Sequence, residues 1–121
     1  MKTAEAEAIV AAAKQQAESM GKPVSICVVD TAGLTMALVR SGDPGAMTSA
    51  IAEGKAAASA FTGRDSAQLA EMAQRVPAIV NALTTRMGGR FVALQGAVVL
   101  TRDGEIAGAV GVSGATSEED E

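Results

Sequence analysis

The chain is 121 residues long, 48% hydrophobic, and carries a net charge of −4 from 14 acids and 10 bases. That is the size of one domain (residues 1–121), long enough to bury a core without disulfides or metals, and its scattered bases argue against a nucleic-acid partner or an anionic membrane surface. No His is present, which removes Ser-His-Asp and Cys-His catalysis, His-based zinc sites and the commonest haem ligand together.

The core is expected to be made of small side chains, because Phe61 and Phe91 are the sole rings and there is no Trp or Tyr. Small residues let backbones approach closely but supply less apolar area per residue. Part of the stability is therefore expected to come from a homo-oligomer interface. The single Cys27 lies in an apolar run and reads as a small buried hydrophobe in a reducing, cytoplasmic setting. The acidic N-terminal stretch has no apolar h-region, and no apolar run is long enough to cross a membrane.

Residues 4–20 read as an amphipathic helix, with Ala6, Ile9, Val10, Ala13, Ala17 and Met20 on one face and Thr3 as its cap. Gly21 and Pro23 end it. Val24 to Asp30 is a β-branched strand, Asp30-Thr31-Ala32-Gly33 a turn, and Leu34 to Arg40 the returning strand. Asp43 with Pro44 predicts the start of a long helix running to Phe61, with Gly54 marking close contact with another element. Thr62-Gly63-Arg64 breaks that helix. Asp65 and Gln68 read as a capping pair for a short helix to Gln74, and Pro77 opens another to Arg86. After Gly88-Gly89, strands are expected at Arg90 to Leu94, Ala97 to Thr101 and Ile106 to Val112. Asp103-Gly104 is a tight hairpin between the last two. Ala115 to Glu121 reads as a short acidic tail. The whole predicts an α/β (α+β) domain on a mostly antiparallel sheet flanked by helices.

With motif chemistry largely removed, polar residues at element ends remain. Asp30 ends the first strand, Arg40 the second, and Ser113 the last; Lys55 projects from the long helix and Gln95-Gly96 interrupts the sheet. Each has a plain structural reading as a turn former, surface charge or strand-end cap. Together they would hold an anion: Arg40 by its bidentate fork, Lys55 as a point charge, Gln95 and Ser113 by side chain, and Gly96 and Gly114 by backbone N–H. No metal site is expected.

The stretches Pro23 to Gly33 and Ala37 to Arg40, the helix around Lys55-Ala56-Ala57-Ala58, and Asp103 to Thr116 resemble the GlcG/HbpS family, which includes the C-terminal domain of the PduO corrinoid adenosyltransferases. The likeness spans roughly residues 4–121. It implies a profilin-like fold with a five-stranded antiparallel sheet, and homo-oligomers. The family's last helix would begin near Thr116 to Glu121, so it is expected here as no more than a turn. The resemblance implies haem or a corrinoid as the cofactors to consider, with propionates on Arg40 or Lys55; without His, Tyr or Trp the axial ligand would have to be Cys27, a Met such as Met36 or Met47, or a weaker group. It supports two readings. One is a small-ligand-binding protein for haem, another tetrapyrrole or another anionic organic molecule at a subunit-edge pocket. The other is a catabolic lyase or isomerase acting on an aromatic or hydroxy acid, resembling a hydroxylaminobenzoate lyase. In the second, Lys55 or Asp30 would move protons and Arg40 would bind the substrate carboxylate. A solvent-exposed Lys55 would weaken the enzyme reading; a Lys55 lining a cleft beside Arg40 would sustain both.

Overall fold

The structure, a computed structural model, describes residues 1–114; the acidic tail and the shortened final helix expected over 115–121 lie outside the described residues. The elements are α1 (Thr3–Ser19), β1 (Val24–Val29), β2 (Thr35–Ser41), α2 (Thr48–Thr62), α3 (Ser66–Arg75), α4 (Pro77–Arg86), β3 (Ala97–Arg102) and β4 (Glu105–Ser113). The strands form one sheet in the order β2-β1-β4-β3, and every neighbouring pair is antiparallel.

All six residues of β1 are buried, as expected of a central strand covered on both faces. Their period-two alternation divides them between two cores. Val24, Ile26 and Val28 pack under α1 with Ala6, Val10 and Ala17. Cys27 and Val29 face the other way, onto Ala52, Ala56 and Ala60 of α2 and Ala109 of β4. On the outer side of α2, Ala58 joins Leu69, Val80, Phe91 and Ala93, with Phe61 packed against them, so both aromatic rings serve this third cluster.

The small-residue core brings α2 very close to the sheet. A Cβ on Gly111 of β4 would run into the backbone carbonyl of Ala52 and the backbone nitrogen of Ala56. Gly54 makes the expected close contact, its outer surface being filled by the Val92 side chain. The second hairpin turns at Asp103 (φ 52°) and Gly104 (φ 79°). Two consecutive positive φ angles match the twist of the flanking strands, which is why Asp-Gly is favoured there.

Three expectations need correction. The sheet has four strands, not five: residues 91–93 are irregular. Val92 gives its N–H to the Gly54 carbonyl of α2 at 3.1 Å. The N–H groups of Ala97 and Val99, by which β3 would receive a fifth strand, are held by Ser66 Oγ at 2.8 Å and Asp65 Oδ1 at 2.9 Å. For the same reason Asp65 sits at the start of α3 without capping it through its side chain. Finally, α2 begins at Thr48 rather than at Pro44. Asp43 lies 3.7 Å from Arg40 Nη2, and the same nitrogen donates to the Pro44 carbonyl at 3.0 Å, so this pair anchors a loop instead of opening a helix.

Glycine substitutions test the close approach. Gly111→Ala is expected to lower the unfolding free energy by about 2–3 kcal/mol in urea titration, because neither backbone group can give way without lifting α2. Gly45→Ala, whose nearest neighbour would be Thr48 Cγ2 at 3.9 Å, is expected to stay within about 0.5 kcal/mol of the parent.

Candidate functional site

The polar end of the sheet is organised by one register row. Ser25 is paired with Arg40 on one side and Ser113 on the other. Directly paired residues leave the same face, here the face that carries α2. Ser25 is fully buried, and its hydroxyl lies 2.8 Å from Thr48 Oγ1 and 3.2 Å from Ser49 Oγ in the first turn of α2. Thr48 also donates to the Gly45 carbonyl at 2.7 Å. A chain of small hydroxyls therefore stitches the start of α2 to the centre of the row. Arg40 and Ser113 stand two strand spacings apart, about 10 Å between backbones.

Lys55 is 2% exposed, so it is not a solvent side chain. Its Nζ donates to the Val112 carbonyl at 3.0 Å. The Val112 N–H in turn donates to the Gly96 carbonyl at 2.7 Å. Lys55, Gly96 and Ser113 thus gather around one stretch of β4, with the half-buried Gln95 next to Gly96. The Gly96 N–H donates to Ser66 Oγ at 2.8 Å. What Gly96 brings to the site is its carbonyl, already used by Val112. Ser66, which the sequence reading passed over, is fully buried and also donates to the Ala97 carbonyl at 2.8 Å.

Arg40 is half exposed, and the contacts described above use one terminal nitrogen of its five-donor guanidinium fork. Asp30 is not brought to this end. Its Oδ1 accepts the N–H groups of Ala32 at 2.9 Å and Leu34 at 3.0 Å, closing the turn between β1 and β2. It lies four residues beyond Ile26, the partner of Val112, which is about 13 Å along the strand. The structure does not place Lys55 and Asp30 together as an acid–base pair.

A second polar cluster was not anticipated. Arg90 donates from Nε to Glu53 Oε1 at 3.1 Å, and from Nη2 to the Gly33 carbonyl. Thr35 donates to Glu53 Oε2 at 3.0 Å, and its hydroxyl lies 3.7 Å from Cys27 Sγ. The network ties the segment after α4 to α2 and to the first hairpin. Its ion pair joins residues 37 positions apart, and no local pattern announces such a pair. Cys27 is buried as expected. Burial pushes its thiol up from 9.0 to about 11; Thr35 and Arg90 pull the other way, and Glu53 adds to the rise.

Of the three sulfur groups considered for iron, Cys27 is sealed in the core and Met36 is packed against the α1-side cluster. Met47 is 74% exposed, next in sequence to Thr48, whose hydroxyl reaches Ser25. A cleft of about 420 Å³ opens at the same sheet end, lined by Glu18, Gly21, Lys22, Pro23, Ser41 and Gly42. Among the described residues, no three His, Cys, Asp or Glu side chains converge as a metal-binding group, and no helix is long and apolar enough to cross a membrane.

Comparison with known proteins gives this geometry a context. The family model described as "Haem degrading protein HbpS-like" matches residues 1–121. Protein GlcG of Escherichia coli K12 is 35% identical over 110 residues, covering 89% of this chain and 77% of that protein. A crystal structure of HbpS is similar with a TM-score of 0.88 at 27% identity, covering 100% of this chain and 82% of the other. A crystal structure of a PduOC:heme complex is similar with a TM-score of 0.87 at 26% identity, covering 99% and 86%.

Cys27 gives a test of the site's interior. Its folded-state pKa lies above its unfolded one, so the folded chain holds this proton more tightly. The associated stability is fully present below about pH 9 and is lost as pH rises toward 11. Thermal melts of Cys27→Ala should therefore lose less stability than the parent between these values. The native thiol should also stay unreactive toward a disulfide reagent at pH 8, reacting only on unfolding. Ready labelling of the folded chain at that pH would contradict the burial assigned to it.

Proposed function

The chain belongs to the HbpS-like family, and from that membership we propose that it binds a carboxylate-bearing tetrapyrrole, haem first among them, at the polar end of its sheet. The observation that carries this reading is Arg40. It is a half-exposed guanidinium whose register row contains buried hydroxyls, in a fold that closely matches a PduOC:heme complex. Its free donors suit a propionate, since charge-assisted N–H···O pairs are about twice as strong as neutral ones. Lys22, Gln95 and Ser113 border the same end and are assigned as accessory contacts. Gly96 shapes that border through its backbone.

The donor set fits a haem without His. Met47 is an exposed thioether at the residue that precedes α2, and Met is an established axial ligand for haem iron. Bound haem would supply a redox-active iron. The chain's own part is to grip the carboxylates through Arg40, to offer Met47 to the metal, and to hold Lys55 against the Val112 carbonyl. A reducing cytoplasm is the setting proposed for it, given the free thiol of Cys27.

A hemin titration followed at the Soret band tests this. Saturation at a defined stoichiometry is expected. Arg40→Ala should weaken binding about tenfold with the band position unchanged, as loss of one charge-assisted contact implies. Met47→Leu should move the band toward that of free hemin, while Cys27→Ala leaves it in place. A featureless, non-saturating spectrum from the parent chain would retire the proposal.

The burial of Lys55 favours a second reading, a lyase or isomerase acting on an aromatic or hydroxy acid. A lysine held in the interior is a recurrent general base. In this reading Lys55 works without Asp30, and Arg40 holds the substrate carboxylate. Lys55→Met preserves the aliphatic stem and should remove turnover while leaving the far-ultraviolet circular dichroism unchanged. Retained turnover in a folded Lys55→Met chain excludes this reading.

A further inference from the structure

Two neighbouring residues fasten the start of α3 to β3, and they differ in what else they touch. Asp65, an exposed side chain, accepts the Val99 N–H at 2.9 Å. Ser66 is fully buried. Its hydroxyl accepts the N–H groups of Gly96 and Ala97 at 2.8 Å each and donates to the Ala97 carbonyl at 2.8 Å. A serine hydroxyl has one proton and two acceptor lone pairs, so this one is fully used and held in a single orientation.

Ser66 acts where the ladder between β3 and β4 ends. The last registered pair there is Ala97 with Gly111, and Val98 stands opposite Val110. Continuing that register sets Gly96 opposite Val112. In a regular antiparallel pair of this kind the two residues exchange both of their N–H···O bonds. Here one of the two is made, from the Val112 N–H to the Gly96 carbonyl at 2.7 Å. The reciprocal bond is replaced: the Gly96 N–H goes to Ser66, and the Val112 carbonyl goes to Lys55 Nζ at 3.0 Å. Gly96 can turn its N–H aside because it lies at φ 123°, a conformation that a side chain would oppose. The Gly96 amide and the Lys55 ammonium are therefore rivals for one carbonyl, and the Ser66 hydroxyl removes the first of them.

We propose that Ser66 is a positioning residue for Lys55: by holding the Gly96 N–H it reserves the Val112 carbonyl for the buried ammonium. Any catalytic consequence rests on the reading of Lys55 as a general base, but the placement itself does not. Loss of the Ser66 hydroxyl lets the Gly96 N–H complete its pair with Val112, and Lys55 loses an acceptor although it never touches Ser66. Asp65 provides the matched comparison. It anchors the same helix start to the same strand, yet Val99 is paired with Ala109, three residues before Val112, so Asp65 stands outside this exchange.

Lysine-selective NMR of the full chain reads this exchange. The chain has four lysines, and Lys2, Lys14 and Lys22 are exposed, so the Lys55 ammonium signal is resolved from theirs and is assigned by its loss in Lys55→Met. Ser66→Ala should speed exchange of the Lys55 ammonium with solvent about tenfold, as loss of one hydrogen bond implies, and move its signal toward the other three. The Gly96 amide should stay protected, its proton having passed to the Val112 carbonyl. Ser66→Thr keeps the hydroxyl and should leave Lys55 as in the parent. Asp65→Ala should speed exchange of the Val99 amide and leave Lys55 in place. Should Ser66→Ala fail to fold, Ser66→Cys keeps the volume with a weaker donor and acceptor, and the same displacement of Lys55 is required of it. An unchanged Lys55 signal in the folded variant overturns the proposal, and so does an equal displacement by Asp65→Ala. No readout here is turnover, so retained turnover in Lys55→Met retires the lyase reading and leaves the placement standing.

Discussion

The close seating of α2 on the sheet is the constraint from which the rest of the molecule follows. Ala52 and Ala56 present little more than backbone to β4, and Gly111 answers with no side chain at all. A helix held this near buries residues at the margin of its contact face as well as those at its centre. Lys55 sits at that margin, and its aliphatic stem is enclosed before its ammonium meets the Val112 carbonyl. The same seating brings the hydroxyls of Thr48 and Ser49 down onto Ser25. A larger residue at any contact position would lift the helix and loosen both the lysine and the hydroxyl chain. The poverty in aromatic residues is thus tied to the polar geometry at the sheet's end.

The local signals in the sequence were readable because each depends on a few neighbouring residues. Asp103-Gly104 specifies its hairpin through backbone angles, Asp30 closes its own turn with two N–H groups, and Pro77 opens α4. The resemblance to the GlcG/HbpS family also held, since it rested on spaced motifs across most of the chain. The errors came where a residue with a good local role was taken by another partner. Asp65 has the right position to cap α3 but reaches β3, and Asp43 meets its neighbour Arg40 in a loop that delays the start of α2 to Thr48. The expected fifth strand failed for the same reason, its docking edge having been filled by Asp65 and Ser66. Within the candidate site, the proximity of Lys55, Gly96 and Ser113 could not be read from spacing, because they meet only through the fold. The Glu53–Arg90 pair was invisible for the same cause.

The polar groups on the α2 face differ in what they leave available. Arg90 is committed to Glu53 and the Gly33 carbonyl, so it neutralises a carboxylate the protein already owns. Lys55 is enclosed and oriented by a carbonyl. Arg40 spends one nitrogen on a loop carbonyl and a long contact to Asp43, and it remains half in solvent. Among the described residues, Arg40 is thus the cation of the three on which the proposed carboxylate contact rests. That ordering separates a committed ion pair from a more exposed guanidinium by geometry, although both begin as an arginine near a strand or helix end.

Arg40 also stands on β2, which among the described residues is bonded to β1 alone. Any strand laid against β2 displaces water from beside Arg40 and lowers the local dielectric around it. Attraction between the guanidinium and a bound carboxylate strengthens as water leaves, and so does the cost of leaving the guanidinium without one. A bound carboxylate would offset that cost, and without one the cost would stand. The physical origin of that coupling is the placement of one charged residue on a strand that, among the described residues, is bonded to β1 alone.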